Sequence, residues 1–195
     1  MKLLLTLITL KIMLLIPNQE SNIQHIYFGG GCFWCVEAVF EDVRGVTEVT
    51  SGYAGGDFKN PSYNQVTSGK TQHAEVCKIT YDTAKIRLTD LLEIFFLTHD
   101  PTTRNRQGND IGFHYRSIVL FNNKKEEKTI NEYILLANQN LYDNNIVTEV
   151  KRLASFYKAE EFHQGYYKLN TNQPYCDAVI TPKVLKARKE LNKYY

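Results

Sequence analysis

Apolar residues recur along this chain with two different periods. Phe33, Val36, Val39, Phe40 and Val43 fall three and four apart, the spacing of one buried helix face. Gly45 stands just past the last of them, where a helix C-terminus favours glycine. Between Glu75 and Asp82 the period is two. Glu75, Cys77, Ile79 and Tyr81 share one face of a strand, and Val76, Lys78, Thr80 and Asp82 share the other. The same reading predicts strands over 25–28, 47–53, 115–121 and 147–150. It predicts helices over 90–98, capped by Thr89 and closed before Pro101, over 124–140, and a short one over 160–169. Residues beyond 169 read as loop until a basic helical segment over 183–193. Strands and helices mix without strict alternation, which predicts an α+β fold, a sheet with helices packed on it.

Length and composition narrow this only slightly. A chain of 195 residues suits one domain and can bury a core without disulfide staples. Hydrophobic residues at 43% and charged residues at 23% are ordinary for a globular protein. A net charge of +2 without a basic stripe argues against a nucleic-acid partner. Met1-Lys2 and the apolar residues 3–16 have the length of a signal-peptide core and are too short to span a bilayer, although Lys11 interrupts them. Residues 1–22 are therefore expected to form a signal peptide or an apolar N-terminal extension, and 23–195 a single catalytic domain. The chain is then either exported or cytoplasmic, with no stable membrane span, and is expected to act as a monomer.

The chemistry concentrates at Gly29-Gly30-Gly31-Cys32-Phe33-Trp34-Cys35. A strand running into three glycines and then a helix puts Cys32 on the first helical turn. Free backbone N–H groups there favour a thiolate, the nucleophilic form of cysteine. The glycines would leave room for a substrate, and Phe33 and Trp34, the only Trp in the chain, would supply apolar walls. A buried, inert cysteine is the plain alternative.

Cys35 completes a C-x-x-C, so a thioredoxin-like oxidoreductase is the competing reading. The Trp before the first cysteine and the Pro between the pair, both usual there, are missing. On a regular helix, residues three apart hold their Cβ atoms about 5–6 Å apart, and a disulfide needs roughly 3.5–4.5 Å. Pairing would require a distorted first turn. Cys77 and Cys176 form no second close pair, so no zinc site is expected.

Further along, the chain resembles the A-type peptide methionine sulfoxide reductases. The resemblance is carried in order by Gly30-Gly31-Cys32-Phe33-Trp34, Gly52-Tyr53, Asn60-Pro61-Ser62-Tyr63, His73-Ala74-Glu75 and His99-Asp100-Pro101. It continues through Arg106-Gln107-Gly108-Asn109-Asp110, Tyr115-Arg116-Ser117 and Glu160-Glu161-Phe162-His163-Gln164. It implies a two-layer, ferredoxin-like α+β plait that reduces the S epimer of methionine sulfoxide, free or in oxidised proteins. It implies Cys32 as nucleophile, passing through a sulfenic acid to a disulfide that thioredoxin or a similar dithiol reduces, with no bound cofactor or metal. Tyr63 and Tyr115 would hold the sulfoxide oxygen, Asp110 would organise polar groups, and Phe33 and Trp34 would hold the substrate methyl. Cys176 falls where many members carry the resolving cysteine, in an Asn/Gln/Pro-rich stretch expected to be mobile. Cys35, standing where Gly is frequent, is the alternative resolver, and Cys77 is expected to be structural.

Glu75 has a case of its own. Reducing a sulfoxide requires its oxygen to gain a proton, hence a general acid opposite the sulfur. A carboxyl heading an otherwise apolar strand face would be held protonated by burial. A glutamate reaching solvent from the strand end is the alternative. Three functions therefore stand side by side: a sulfoxide reductase, a general thiol–disulfide oxidoreductase, and a non-catalytic binding module.

Overall fold

The computed structural model describes residues 22–195, so the leader-like residues 1–21 lie outside the described residues. The chain runs β1 (Ile23–Gly29), α1 (Phe33–Phe40), β2 (Val46–Ala54), α2 (Tyr63–Thr67), β3 (Ala74–Asp82) and α3 (Leu88–Thr98). A short hairpin follows, β4 (Arg106–Gln107) with β5 (Asp110–Ile111). Then come β6 (Ile118–Phe121), α4 (Lys124–Leu141), β7 (Glu149–Arg152), β8 (Phe156–Lys158) and α5 (Tyr166–Leu169). A π-helical turn at Cys176–Ile180 leads into α6 (Thr181–Glu190). The main sheet has the order β7-β6-β1-β3-β2-β8. Its pairs are antiparallel except β6 with β7.

The two faces of β3 sort as the period of two requires. Cys77, Ile79 and Tyr81 join Ile26 and Phe28 beneath the helices, against Val39, Phe40, Leu92 and Phe95. Val76 joins Tyr27, Ala54, Ala74, Ile118 and Leu120 on the opposite face, where Leu153 and Phe156 cover them. Phe28 stacks on Phe95 at 4.6 Å, tying the central strand to α3. Each such fully buried side chain contributes about 1.5–3 kcal/mol, so this seam fixes where β1 ends and delivers Cys32.

The elements depart from the sequence pattern where tertiary partners decide. Helix α3 starts at Leu88 after Arg87, because the Asp90 carboxylate accepts the Arg87 N–H at 3.1 Å; Thr89 is not its cap. Tyr115 lies in a 3₁₀ turn (Phe113–Tyr115), and β6 begins only at Ile118. Strand β7 is set by pairing Glu149 with Ile118, two residues later than expected. The expected helix over 160–169 breaks at Gly165, whose φ is +58°. The stretch after 169 is not loop up to 183. Its helical turns bury Cys176, Ile180, Val184 and Ala187 in the core with α1. Among the described residues no helix is long and apolar enough to cross a membrane, and no group of three or more His, Cys, Asp or Glu could hold a metal.

Candidate active site

Cys32 is the N-cap of α1, with φ −55° and ψ 126°, and so sits one residue before the helix rather than on its first turn. The three glycines serve the backbone here, not the substrate. A Cβ on Gly29 would lie 2.8 Å from the Glu75 carbonyl oxygen. Gly31 has φ +95°, and a Cβ there would lie 2.6 Å from the Gln107 side chain. The run lets β1 press against β3 and turn sharply into α1, which sets Cys32 beside Glu75.

Cys32, Phe33, Trp34, Tyr63, Glu75, Asp110 and Tyr115 all line one cavity of about 80 Å³. It has room for the end of a side chain and little more. Glu75 is 2% exposed, and its Oε2 accepts the Phe33 backbone N–H at 3.0 Å. That bond favours the carboxylate, but burial outweighs it, and Asp110 and Cys35 add to the upward push. Glu75 is raised to about 8 and carries its proton at neutral pH. Among the described residues the hydroxyls of Tyr63 and Tyr115 have no hydrogen-bond partner, so two donors remain unspent in the cavity wall. Burial raises both phenols, keeping them protonated.

Four free thiols are present. Those of Cys32 and Cys35 interact, and this interaction is the largest influence on both. It raises Cys32, with burial and Glu75 acting in the same direction, while the Trp34 backbone N–H opposes them. It lowers Cys35 to about 7 against burial, helped by Lys183 and the Tyr175 hydroxyl. Of the two, Cys35 therefore gives up its proton the more readily. Cys32 and Cys35 also line an outer groove of about 330 Å³ with Gln107, Asp110, Tyr175, Val179 and Lys183. Cys176 is not in that groove. It is fully buried in the turn preceding α6, where burial and nearby Cys35 push its thiol up. Cys77, also fully buried, donates to the Phe33 carbonyl at 3.3 Å and packs beneath α1.

This arrangement suits transfer of an oxygen atom from a small substrate to a cysteine. Residues 24–194 match the family model for peptide methionine sulfoxide reductase. The chain belongs to the peptide methionine sulfoxide reductase family. The curated "Peptide methionine sulfoxide reductase MsrA" of Trichodesmium erythraeum is 55% identical over 165 residues, covering 84% of this chain and 93% of that protein. Among solved structures, Mxr1 of Saccharomyces cerevisiae in reduced form is 32% identical with a TM-score of 0.74, covering 79% of this chain and 89% of that one. Mxr1 in complex with Trx2 is 26% identical with a TM-score of 0.53, covering 74% and 84%.

Sequence reasoning missed several residues at the site of this methionine sulfoxide reductase. Tyr175 also lines the cavity, donates to Asp110 Oδ2 at 2.8 Å and touches Cys35 Sγ at 3.8 Å. Glu160 accepts the Tyr53 hydroxyl at 2.8 Å and the Tyr63 backbone N–H at 2.9 Å, fixing Tyr63 in the wall. His163 packs between Phe33, at 5.0 Å, and Tyr63, at 4.7 Å. Tyr166 stacks on Trp34 at 3.6 Å with an interplanar angle of 6°. The sequence signal for Glu160 and His163 was their place in a motif of the resemblance. Tyr175 and Tyr166 had none beyond the high tyrosine content.

Proposed function

We propose that this chain is a peptide-methionine (S)-S-oxide reductase in which Cys32 is the nucleophile and Glu75 the general acid. The observation that carries the reading is the small cavity in which the Cys32 thiol, a protonated carboxyl and two unspent phenol hydroxyls meet beside an aromatic wall. A methyl sulfoxide matches that set. Its methyl packs on Phe33 and Trp34, its oxygen accepts from Glu75, Tyr63 and Tyr115, and its sulfur faces Cys32. The Cys32 sulfur attacks the sulfoxide sulfur, forming an S–S bond, as Glu75 protonates the oxygen and the thiol proton replaces the one Glu75 gave. The hydroxyl then passes to the Cys32 sulfur: the sulfoxide S–O bond and the new S–S bond break as the Cys32 S–O bond forms. Methionine leaves reduced by two electrons, and Cys32 is oxidised by two to the sulfenic acid.

Cys35 is the first resolving cysteine in this reading. The objection from regular helix spacing weakens with Cys32 at an N-cap with ψ 126°, and the two cysteines line the same groove. The Cys35 thiolate attacks the sulfenic sulfur, the S–O bond breaks, and with one proton the oxygen leaves as water. A resolving role for Cys176 requires its turn to open first. The outer groove gives a dithiol such as thioredoxin access to the Cys32–Cys35 pair, and the yeast relative's complex with Trx2 supports that reductant. The segment β1-α1-β2-β3-α3-β6, with strand order β6-β1-β3-β2, supports the ferredoxin-like plait as the finer description of the core.

The test is turnover of the S and R sulfoxides of a blocked methionine with thioredoxin as reductant. S-selective reduction that disappears in Cys32→Ser is expected. Disulfide reduction on insulin without sulfoxide turnover would overturn the reading in favour of a general thiol–disulfide oxidoreductase. Thioredoxin-driven turnover that survives Cys35→Ser and fails in Cys176→Ser would move resolution to Cys176.

A further inference from the structure

Glu37 takes no part in the steps above, yet its carboxyl is 1% exposed and fully engaged. Oε1 accepts from the Ser51 hydroxyl at 3.1 Å and from the Gly165 N–H at 3.0 Å, and Oε2 accepts the Tyr166 N–H at 3.2 Å. Burying a carboxyl is costly unless its bonds are all made, and here two of the three go to successive backbone groups of one segment. That segment needs holding. Helix α5 is only four residues long, too short to be stable alone. What Glu37 holds is also what backs the methyl wall. Glu37 follows Trp34 by three residues on α1, so the two share a side of the helix. The Tyr166 ring lies flat on the Trp34 indole.

We propose that Glu37 is a positioning residue for substrate recognition: it clamps the Gly165–Tyr166 backbone to α1, so that Tyr166 braces Trp34 as the wall that receives the substrate methyl. This rests on the reading of the cavity as a sulfoxide site. Unclamped, α5 drifts, the stack opens, and the indole no longer presents a fixed surface. The chemistry at Cys32 and Glu75 is untouched, so the loss falls on binding.

Trp34 is the only tryptophan, so its emission reports the stack directly. In Glu37→Gln, one acceptor oxygen becomes an amide group facing N–H donors. Its Trp34 emission is expected to shift and its anisotropy to fall. KM for the blocked S sulfoxide is expected to rise about 5- to 10-fold, the worth of one aromatic stack, with kcat held within about twofold. Tyr166→Leu keeps the backbone bonds and removes only the ring. It is expected to raise KM equally, and the double variant to add nothing further. Unchanged emission and KM in Glu37→Gln would overturn the clamp, as would a fall in kcat alone. Should that variant not fold, unchanged KM in Tyr166→Leu would overturn it equally. A wild-type chain inactive on both sulfoxides would sink the sulfoxide reading instead, and the emission change would then decide the clamp by itself.

Discussion

On one side of the cavity, Trp34, Tyr166, Phe33 and His163 meet ring to ring, with 3.6 Å between Trp34 and Tyr166 and 5.0 Å between Phe33 and His163. On the other side the contacts run through protons, from Cys35 to Tyr175 and from Tyr175 to Asp110, with Cys32 and Glu75 beside them. Ring contacts add up from many small attractions and weaken by degrees when an atom is lost. A proton is present or absent. The aromatic side should therefore govern how tightly a sulfoxide is held, and the proton-bearing side whether it reacts. Substitutions on the two sides should separate in KM and kcat.

The largest separation is expected between Glu75→Gln and Trp34→Phe. The first keeps size and removes the transferable proton, so kcat should fall about 10²- to 10⁴-fold, the usual worth of a positioned acid. The second keeps an aromatic ring, and KM should rise by roughly 10-fold or less while kcat holds. Comparable falls in kcat for both would mean that the two sides are one functional unit. Steady-state kinetics on the blocked sulfoxide decides it.

The pH profile sharpens the same contrast. Glu75, raised by burial to about 8, must be protonated to act, so the rate should fall as pH rises through about 8. Glu75→Gln should lose that limb, and Trp34→Phe should keep it. Stability follows with the same sign. Between the ordinary carboxyl range near ~4.3 and the folded value, the native state binds more protons than the unfolded state. The contribution of Glu75 is thus complete at low pH and is lost as pH rises through about 8. The Tm of the Gln variant should vary less with pH over that window. Equal slopes for the two proteins would mean that Glu75 is not held protonated.

Next in size are the two phenols. Tyr63→Phe and Tyr115→Phe each remove one donor and leave the ring packing in place. Each should lower kcat/KM by roughly 10-fold, about the upper worth of one neutral hydrogen bond. Both rings contact the cavity, so an effect on KM alone would assign them to the aromatic side.

Much of this division was legible in the sequence, and unevenly so. The alternation over Glu75, Cys77, Ile79 and Tyr81 placed a carboxyl at the head of a buried face, where it is found. The strand, glycines and helix around Cys32 were equally local. Tyr166 and Tyr175 were not, because they reach the site from more than a hundred residues away in the chain. The Asn/Gln/Pro-rich composition around Cys176 read as a mobile loop. Burial of Ile180, Val184 and Ala187 overrides that composition and makes the segment helical. The role given to the glycines failed for a related reason. What crowds a Cβ on Gly29 is the backbone of Glu75, a neighbour that only the sheet register brings near.

The smallest expected effect is the most discriminating for the proton-bearing side. Tyr175→Phe keeps a ring beside Trp34 and deletes the hydroxyl that donates to Asp110 and touches Cys35. If these groups act as one network, the Cys35 thiol should ionise at higher pH, because one of the contacts that lowers it is gone. The alkylation rate of Cys35 by iodoacetamide, followed against pH by mass spectrometry, should shift its midpoint upward. Thioredoxin-driven turnover should fall only about 2- to 5-fold, the scale of one net hydrogen bond. The single-turnover yield of methionine should stay nearly unchanged, since Glu75 and Cys32 keep their places. An unmoved alkylation midpoint would mean that Cys35 answers to Cys32 and Lys183 alone, and that Tyr175 belongs to the packing of the aromatic side.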